Sequence, residues 1–135
     1  MGRALVGEAL GTFLMVLFGT GAVACAVLTG ALQGLWQVAI VWAIGVTVAI
    51  YVAAPLSGAH LNPAVTLAFT LFRAFPPGWL PAYWLAQLGG AVLAGWVILL
   101  AGGLLYERAA AAHLDPHDKP VPRSKLQELS AFGFT

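Results

Sequence analysis

Between Pro55 and Phe72 the chain carries no charged residue, yet it holds Ser57, His60, Asn62, Thr66 and Thr70 in otherwise apolar sequence. Three kinds of chemistry can be asked of such groups. Nucleophilic catalysis would pair Ser57 with His60, but no acidic partner and no oxyanion arrangement accompanies them, so no enzyme is expected. Metal binding would fall to His113, Asp115 and His117. No further ligand or supporting shell is apparent there, so neither a metal nor a cofactor is expected. Hydrogen bonding to a neutral molecule is the third. Asn62-Pro63 reads as a helix start, because Asn is a favoured cap and Pro is favoured at the first helical position. An amide held there can donate to a solute oxygen, and the helix dipole adds a partial charge of roughly +0.5 at the same point. Oriented helix ends of this kind oppose cations and protons and leave neutral molecules free. Two readings of Asn62 stay open on the residues alone: a pore residue, and a plain cap that serves the fold.

Glu8 raises the same kind of question. A carboxylate inside an apolar span is costly and marks function or a buried partner, although a glutamate this close to Met1 could also sit at the membrane interface. Gln87 is read as an interhelical hydrogen-bonding residue. His60 is read as packing beside the loop, with proton gating as the alternative. Cys25 is the single cysteine, so no intrachain disulfide can form, and it is read as a small buried apolar residue.

The elements that must position these groups are membrane-spanning. The 135 residues are 61% hydrophobic and 8% charged, against roughly a quarter charged in soluble domains. No Asp, Glu, Lys or Arg lies between Glu8 and Arg73, nor between Arg73 and Glu107. About 20 apolar residues cross a bilayer. Apolar sequence runs on too far for a signal peptide, and a net charge of +1 gives no basic patch for nucleic acid. Breakers at Thr29-Gly30, Gln33-Gly34, Pro55 and Ser57-Gly58 divide the chain into spans over residues 4–28, 35–54 and 81–106. Residues 55–72 form a re-entrant segment. Its helical part, starting at Asn62, would be about 16 Å long, half a bilayer. The non-helical stretch before it survives at that depth only when buried in protein or lining water. Gly7 and Gly11 are spaced for close helix approach, and Gly19, Gly45, Gly89, Gly90 and Gly95 add further small positions. Trp79, Tyr83 and Trp84 are read as interfacial anchors. Residues 1–106 thus form a membrane domain and residues 107–135 a polar extramembrane tail or interhelix loop, with a short surface helix suggested by Leu126, Leu129 and Phe132.

The string Ser57-Gly58-Ala59-His60-Leu61-Asn62-Pro63-Ala64-Val65-Thr66 resembles the first signature loop of the aquaporin, or major intrinsic protein, family. Gly7-Glu8-Ala9-Leu10-Gly11-Thr12-Phe13 is similar to the family's first helix, and Ala86-Gln87-Leu88-Gly89-Gly90-Ala91 to its third. The resemblance covers about residues 4–106. It implies an all-α membrane protein with three transmembrane helices and one re-entrant half-helix, half of an inverted repeat whose two half-helices meet at the midplane. The family's second Asn-Pro-Ala motif, and the arginine after it that completes the constriction, are absent here.

By this resemblance Asn62 faces the lumen, the carbonyls of Gly58, Ala59, His60 and Leu61 form a ladder of acceptors, and Pro63 and Ala64 complete the motif. Glu8 accepts hydrogen bonds from the loop. Trp42, twenty positions before Asn62, matches the constriction residue of the second helix, where glycerol facilitators carry an aromatic and water-selective members usually a histidine. A packing or lipid-facing tryptophan is the other reading. The function implied is passive passage of glycerol, other small neutral solutes and water across the cell membrane. The alternatives are a water-selective channel and a non-conducting structural subunit or truncated fragment. Expected partners are the lipid bilayer, a second half-channel (a C-terminal half or an antiparallel copy) and, for the assembled pore, a homo-oligomer. The family places the chain start inside, which Arg3 and Arg73 fit, but Arg108, Lys119, Arg123 and Lys125 in the tail do not.

Overall fold

Apolar residues run through whole turns of each long segment with no polar face, so these helices cannot be stable against water on any side. The computed structural model of the chain describes residues 1–29, 32 and 34–112. Four helices follow in order: α1 Gly2–Thr29, α2 Leu35–Ser57, α3 Pro63–Phe72 and α4 Leu80–Ala112, the last entered through a 3-10 turn at Pro77–Trp79. Three of them are long and apolar enough to cross a membrane. The ten residues of α3 reach only about 15 Å, half of the ~30 Å hydrocarbon.

Helix α1 is the centre of the arrangement, packed on α2 along one side and on α4 along the other. Small residues set both contacts. A Cβ at Gly7 would meet Leu56 and Ser57, and one at Gly11 would meet Leu61 and Ala53, so α2 runs antiparallel to α1. A Cβ at Gly90 would sit on the carbonyl oxygen of Ala9 and 3.1 Å from the backbone nitrogen of Phe13. There α1 and α4 touch backbone to backbone, which lipid-embedded helices achieve only through such residues. Next to it, Gly89 has open space. Gly90→Ala is therefore expected to cost at least about 1–3 kcal/mol, because backbone cannot give way as a side-chain end does. Gly89→Ala should be neutral or gain up to about 1 kcal/mol by stiffening the helix. Thermal midpoints of both variants in detergent, followed by circular dichroism, check this; equal midpoints would overturn the crossing.

Large apolar side chains cover the opposite faces. Leu35, Trp36, Tyr51, Leu71 and Phe72 are each more than 60% exposed, the reverse of a water-soluble bundle. Among the described residues the buried core is small-residue and mixed: Ala49, Ala53 and Leu61, with Leu14, Met15 and Ala59 against them.

Several sequence expectations shift. The second span does not stop before Pro55: α2 continues through it to Ser57. A proline one turn from a C-terminus forfeits a single helical bond, and Gly58 then ends the helix in the left-handed region (φ 87°), its N–H donating to Ala54 O at 3.0 Å. That conformation suits glycine. The non-helical loop is thus residues 58–62, shorter than expected. The helix of the third span begins at Leu80 and continues to Ala112, past its apolar stretch Pro77–Leu104, so the first part of the expected tail is helix. His113, Asp115 and His117, the helix suggested at Leu126–Phe132 and the basic tail residues beyond Ala112 lie outside the described residues. Tyr83 is not an interfacial anchor. It is 2% exposed and turned inward onto His60 and Phe75.

Candidate functional site

Glu8 sits on α1 where α2 ends and α4 crosses, with no solvent exposure. Four donors converge on its carboxylate. Oε1 accepts from Ser57 Oγ at 2.6 Å and from the backbone N–H of His60 at 2.9 Å. Oε2 accepts from the N–H of Leu61 and from Gln87 Nε2, each at 2.7 Å. An ionised carboxylate offers only acceptor sites, and every group here is a donor. A charge at this depth is tolerable because it is fully hydrogen-bonded, two of the bonds coming from consecutive backbone amides that cup the anion.

Those amides come from a backbone that no propensity would choose. Ala59 (φ 54°) and Leu61 (φ 52°) both lie in the left-handed region, at a cost of order 1–3 kcal/mol each for a residue with a side chain. The carboxylate offsets this by taking the two N–H groups that the conformation turns toward it. Ser57 Oγ, besides donating to Glu8, accepts from Ala59 N–H at 3.1 Å. Tyr83 OH donates to Ser57 O at 3.0 Å, closing the end of α2.

The network continues into the half-helix. Gln87 Nε2 also donates to Thr66 Oγ1 at 3.0 Å, and Thr66 Oγ1 donates to Asn62 O at 3.1 Å. Thr66 and Gln87 are both buried. Trp84 Nε1 donates to Pro63 O at 3.1 Å, fixing the first turn of α3 from the side. Asn62 is the N-cap: its backbone is extended (φ −152°) and its Oδ1 accepts from Ala64 N–H at 2.8 Å. Using Oδ1 this way fixes the amide plane and leaves Nδ2 facing out, with no acceptor for it among the described residues. Asn62, Pro63 and Ala64 are exposed. The product is a fixed N–H donor at the positive end of a short helix, backed by a buried carboxylate that holds the amide of the adjacent Leu61. It can offer a hydrogen bond to a neutral oxygen and resists a cation.

His60 stacks on Phe69 at 4.5 Å between ring centroids and meets Phe75 at 4.8 Å, so its side chain is a packing element beneath the loop. Trp42 is not part of this network. It is half-buried on the stripe of α2 that also carries Gly45, Ala49 and Ala53, its indole against Gly19 of α1. Eleven residues separate it from Ala53, the contact of Leu61, which is about 16 Å along the helix. Thr66, Tyr83 and Trp84 had no site role in the sequence reading. A signal existed for one of them: Tyr83 lies four residues before Gln87, on the same face of α4.

Three comparisons bear on this geometry. The family model described as Major intrinsic protein matches residues 1–123. The chain is 48% identical over 93 residues to the glycerol uptake facilitator protein of Pseudomonas aeruginosa, which covers 69% of the chain and 33% of the relative. Against the glycerol uptake facilitator protein of Haemophilus influenzae the identity is 45% over 128 residues, 95% of the chain and 46% of the relative. The propanediol uptake facilitator of Citrobacter freundii is 40% identical over 108 residues, 80% of the chain and 40% of the relative. In structure, the aquaglyceroporin of Plasmodium falciparum superposes with a TM-score of 0.70 at 33% identity, over 86% of the chain and 47% of its own length. The chain spans less than half the length of each of these relatives.

Proposed function

The chain belongs to the major intrinsic protein family, and on that premise we propose that it supplies one half of a passive pore for glycerol, related small neutral solutes and water. It is a multi-pass integral membrane protein, with three helices of spanning length. The observation that carries the proposal is the exposed Asn62 amide at the tip of a half-length helix, held by a wholly buried carboxylate. Lining the path are Asn62 and the carbonyls of Gly58, Ala59, His60 and Leu61. Glu8, Gln87, Pro63 and Ala64 hold that path in shape. Trp42 sets the width on the outer side, its apolar ring matching the carbon backbone of a polyol and offering little to water alone. The names of the relatives, glycerol and propanediol facilitators, support solutes of this size and polarity.

Three spans and one half-helix do not surround a lumen. Alone, they would leave the polar loop tip facing hydrocarbon, at several kcal/mol per unsatisfied group. The pore therefore needs a second half, either a C-terminal half or an antiparallel copy related by a two-fold axis in the membrane plane. Light scattering from liposomes tests the reading. The chain would be reconstituted alone and together with the C-terminal half of the Pseudomonas aeruginosa relative. Glycerol entry well above the lipid background is expected from the pair. Water flux without glycerol flux would replace the proposal with a water-selective pore, and no flux would leave a structural subunit. A monomeric chain that conducts would overturn the requirement for a second half.

A further inference from the structure

On the halves of α1 and α2 nearer the segment that joins them, two aromatic side chains are seated on glycines of the opposite helix. A Cβ added to Gly19 of α1 would fall on the Cε2 and Cζ2 atoms of Trp42, and 2.5 Å from its Cδ2. Reciprocally, a Cβ added to Gly45 of α2 would fall on Cβ of Phe18 and 3.0 Å from its Cγ. One ring face of Trp42 thus lies directly on the α1 backbone. The indole is rigid, and its body cannot bend out of the way as the end of a lysine or methionine would. How far the ring stands off α1 is therefore decided by the atom that Gly19 lacks.

The side of α2 concerned faces α1, and Leu61 of the loop packs only at its far end. Gly45, Ala49 and Ala53 are buried on it, and Leu61 packs against Ala49 and Ala53. Trp42 continues the same stripe at helical spacing, three residues before Gly45. Its half-buried ring lies against α1. On the pore-lining reading of Trp42, displacement away from α1 carries the ring toward the solute path.

We infer that Gly19 is a positioning residue for selectivity: by letting the Trp42 ring lie flat on α1, it sets the widest solute that passes the constriction at Trp42. The inference rests on the reading of Trp42 as a pore-lining residue. Gly19 touches no solute, and acts through the ring. Glycerol, the wider solute, feels the change first, and water, which needs less width, feels it less.

The test uses the full chain reconstituted with the C-terminal half of the Pseudomonas aeruginosa relative, reading glycerol and water permeability separately. Gly19→Ala is expected to lower the glycerol-to-water ratio by about tenfold, the lower end of what one methylene does to discrimination in a fitted apolar site. Gly19→Ala combined with Trp42→Phe, which gives the methyl its room back, is expected to restore the ratio to that of Trp42→Phe alone. A general packing defect would lower both permeabilities together and would not be rescued by a smaller ring. A ratio unmoved by Gly19→Ala but moved by Trp42→Ala sinks this inference and leaves the Trp42 assignment standing. A ratio unmoved by either sinks both. Should Gly19→Ala fail to fold, recovery of folded protein in the double variant sustains the ring contact as the cause, and failure of the double variant overturns it.

Discussion

Glu8→Ala is expected to abolish accumulation of folded chain. Four donors lose their acceptor at once: Ser57 Oγ, the amides of His60 and Leu61, and Gln87 Nε2. A buried donor left unpaired costs about 1–3 kcal/mol, and removing one member of a buried charged network typically costs about 3–5 kcal/mol in all. That is comparable to the whole stability of many domains, roughly 5–15 kcal/mol. The backbone raises the stakes further. Ala59 and Leu61 occupy left-handed conformations that persist only while something over-determines them, and the carboxylate is what does so. Glu8→Gln should be nearly as damaging, because its new NH₂ would face groups that themselves donate. Arg3→Ala is the contrast. Arg3 is exposed and makes one 3.3 Å bond to Pro55 O, so a change within about 0.5 kcal/mol is expected. Size-exclusion yield, and thermal midpoint where protein survives, decide it. A Glu8→Ala chain with the midpoint of the unaltered chain would remove Glu8 from the centre of this account.

Much of this arrangement can be read before folding, and the reason differs by feature. The spans are legible because the long uncharged intervals leave no other solvent for them. The half-helix is legible because Asn62-Pro63 is a local start signal in sequence too short to cross. Misplaced were the edges. Pro55 reads as a breaker in isolation, but a proline in the final turn sacrifices one bond that packing on Gly7 readily outweighs, so α2 runs on to Ser57. The end of α4 was hidden because Glu107 and Arg108 mark a change of solvent, not a change of backbone, and a helix can leave the bilayer intact.

The buried carboxylate illustrates the other limit. That Glu8 needed a partner followed from its position in an apolar span. That the loop would serve followed from the family resemblance, but that Gln87, 79 residues away in the chain, joins it at the same carboxylate did not. The inward turn of Tyr83 is the same case: an aromatic near a helix start reads as an interfacial anchor until Ser57 O and the His60 ring are seen beside it. Side-chain identity gave the chemistry, and the crossing of α1 with α4 at Gly90 brought Gln87 to it.

Asn62 offers the experiment that separates fold from passage, because its two side-chain atoms do different work. Oδ1 caps α3 by accepting from Ala64 N–H at 2.8 Å, while Nδ2 is the outward donor. Asn62→Asp keeps the first and removes the second. As a cap, aspartate equals asparagine, and its charge suits the helix N-terminus, so in the completed pore, where the tip faces water, the thermal midpoint should hold. Passage should suffer. A donor worth about 1 kcal/mol to a solute oxygen is lost, and a fixed negative charge now holds polar groups where transit needs weak, renewable contacts. Glycerol permeability of the completed pore should fall by at least about tenfold, the flux equivalent of ~1.4 kcal/mol. Asn62→Leu loses both functions: about 1 kcal/mol of capping and the same flux. If Asn62 were only a cap, the two variants would part, with the aspartate variant conducting normally and the leucine variant failing through instability alone. Glycerol flux at the unaltered rate through folded Asn62→Asp protein would end the assignment of Asn62 to the pore.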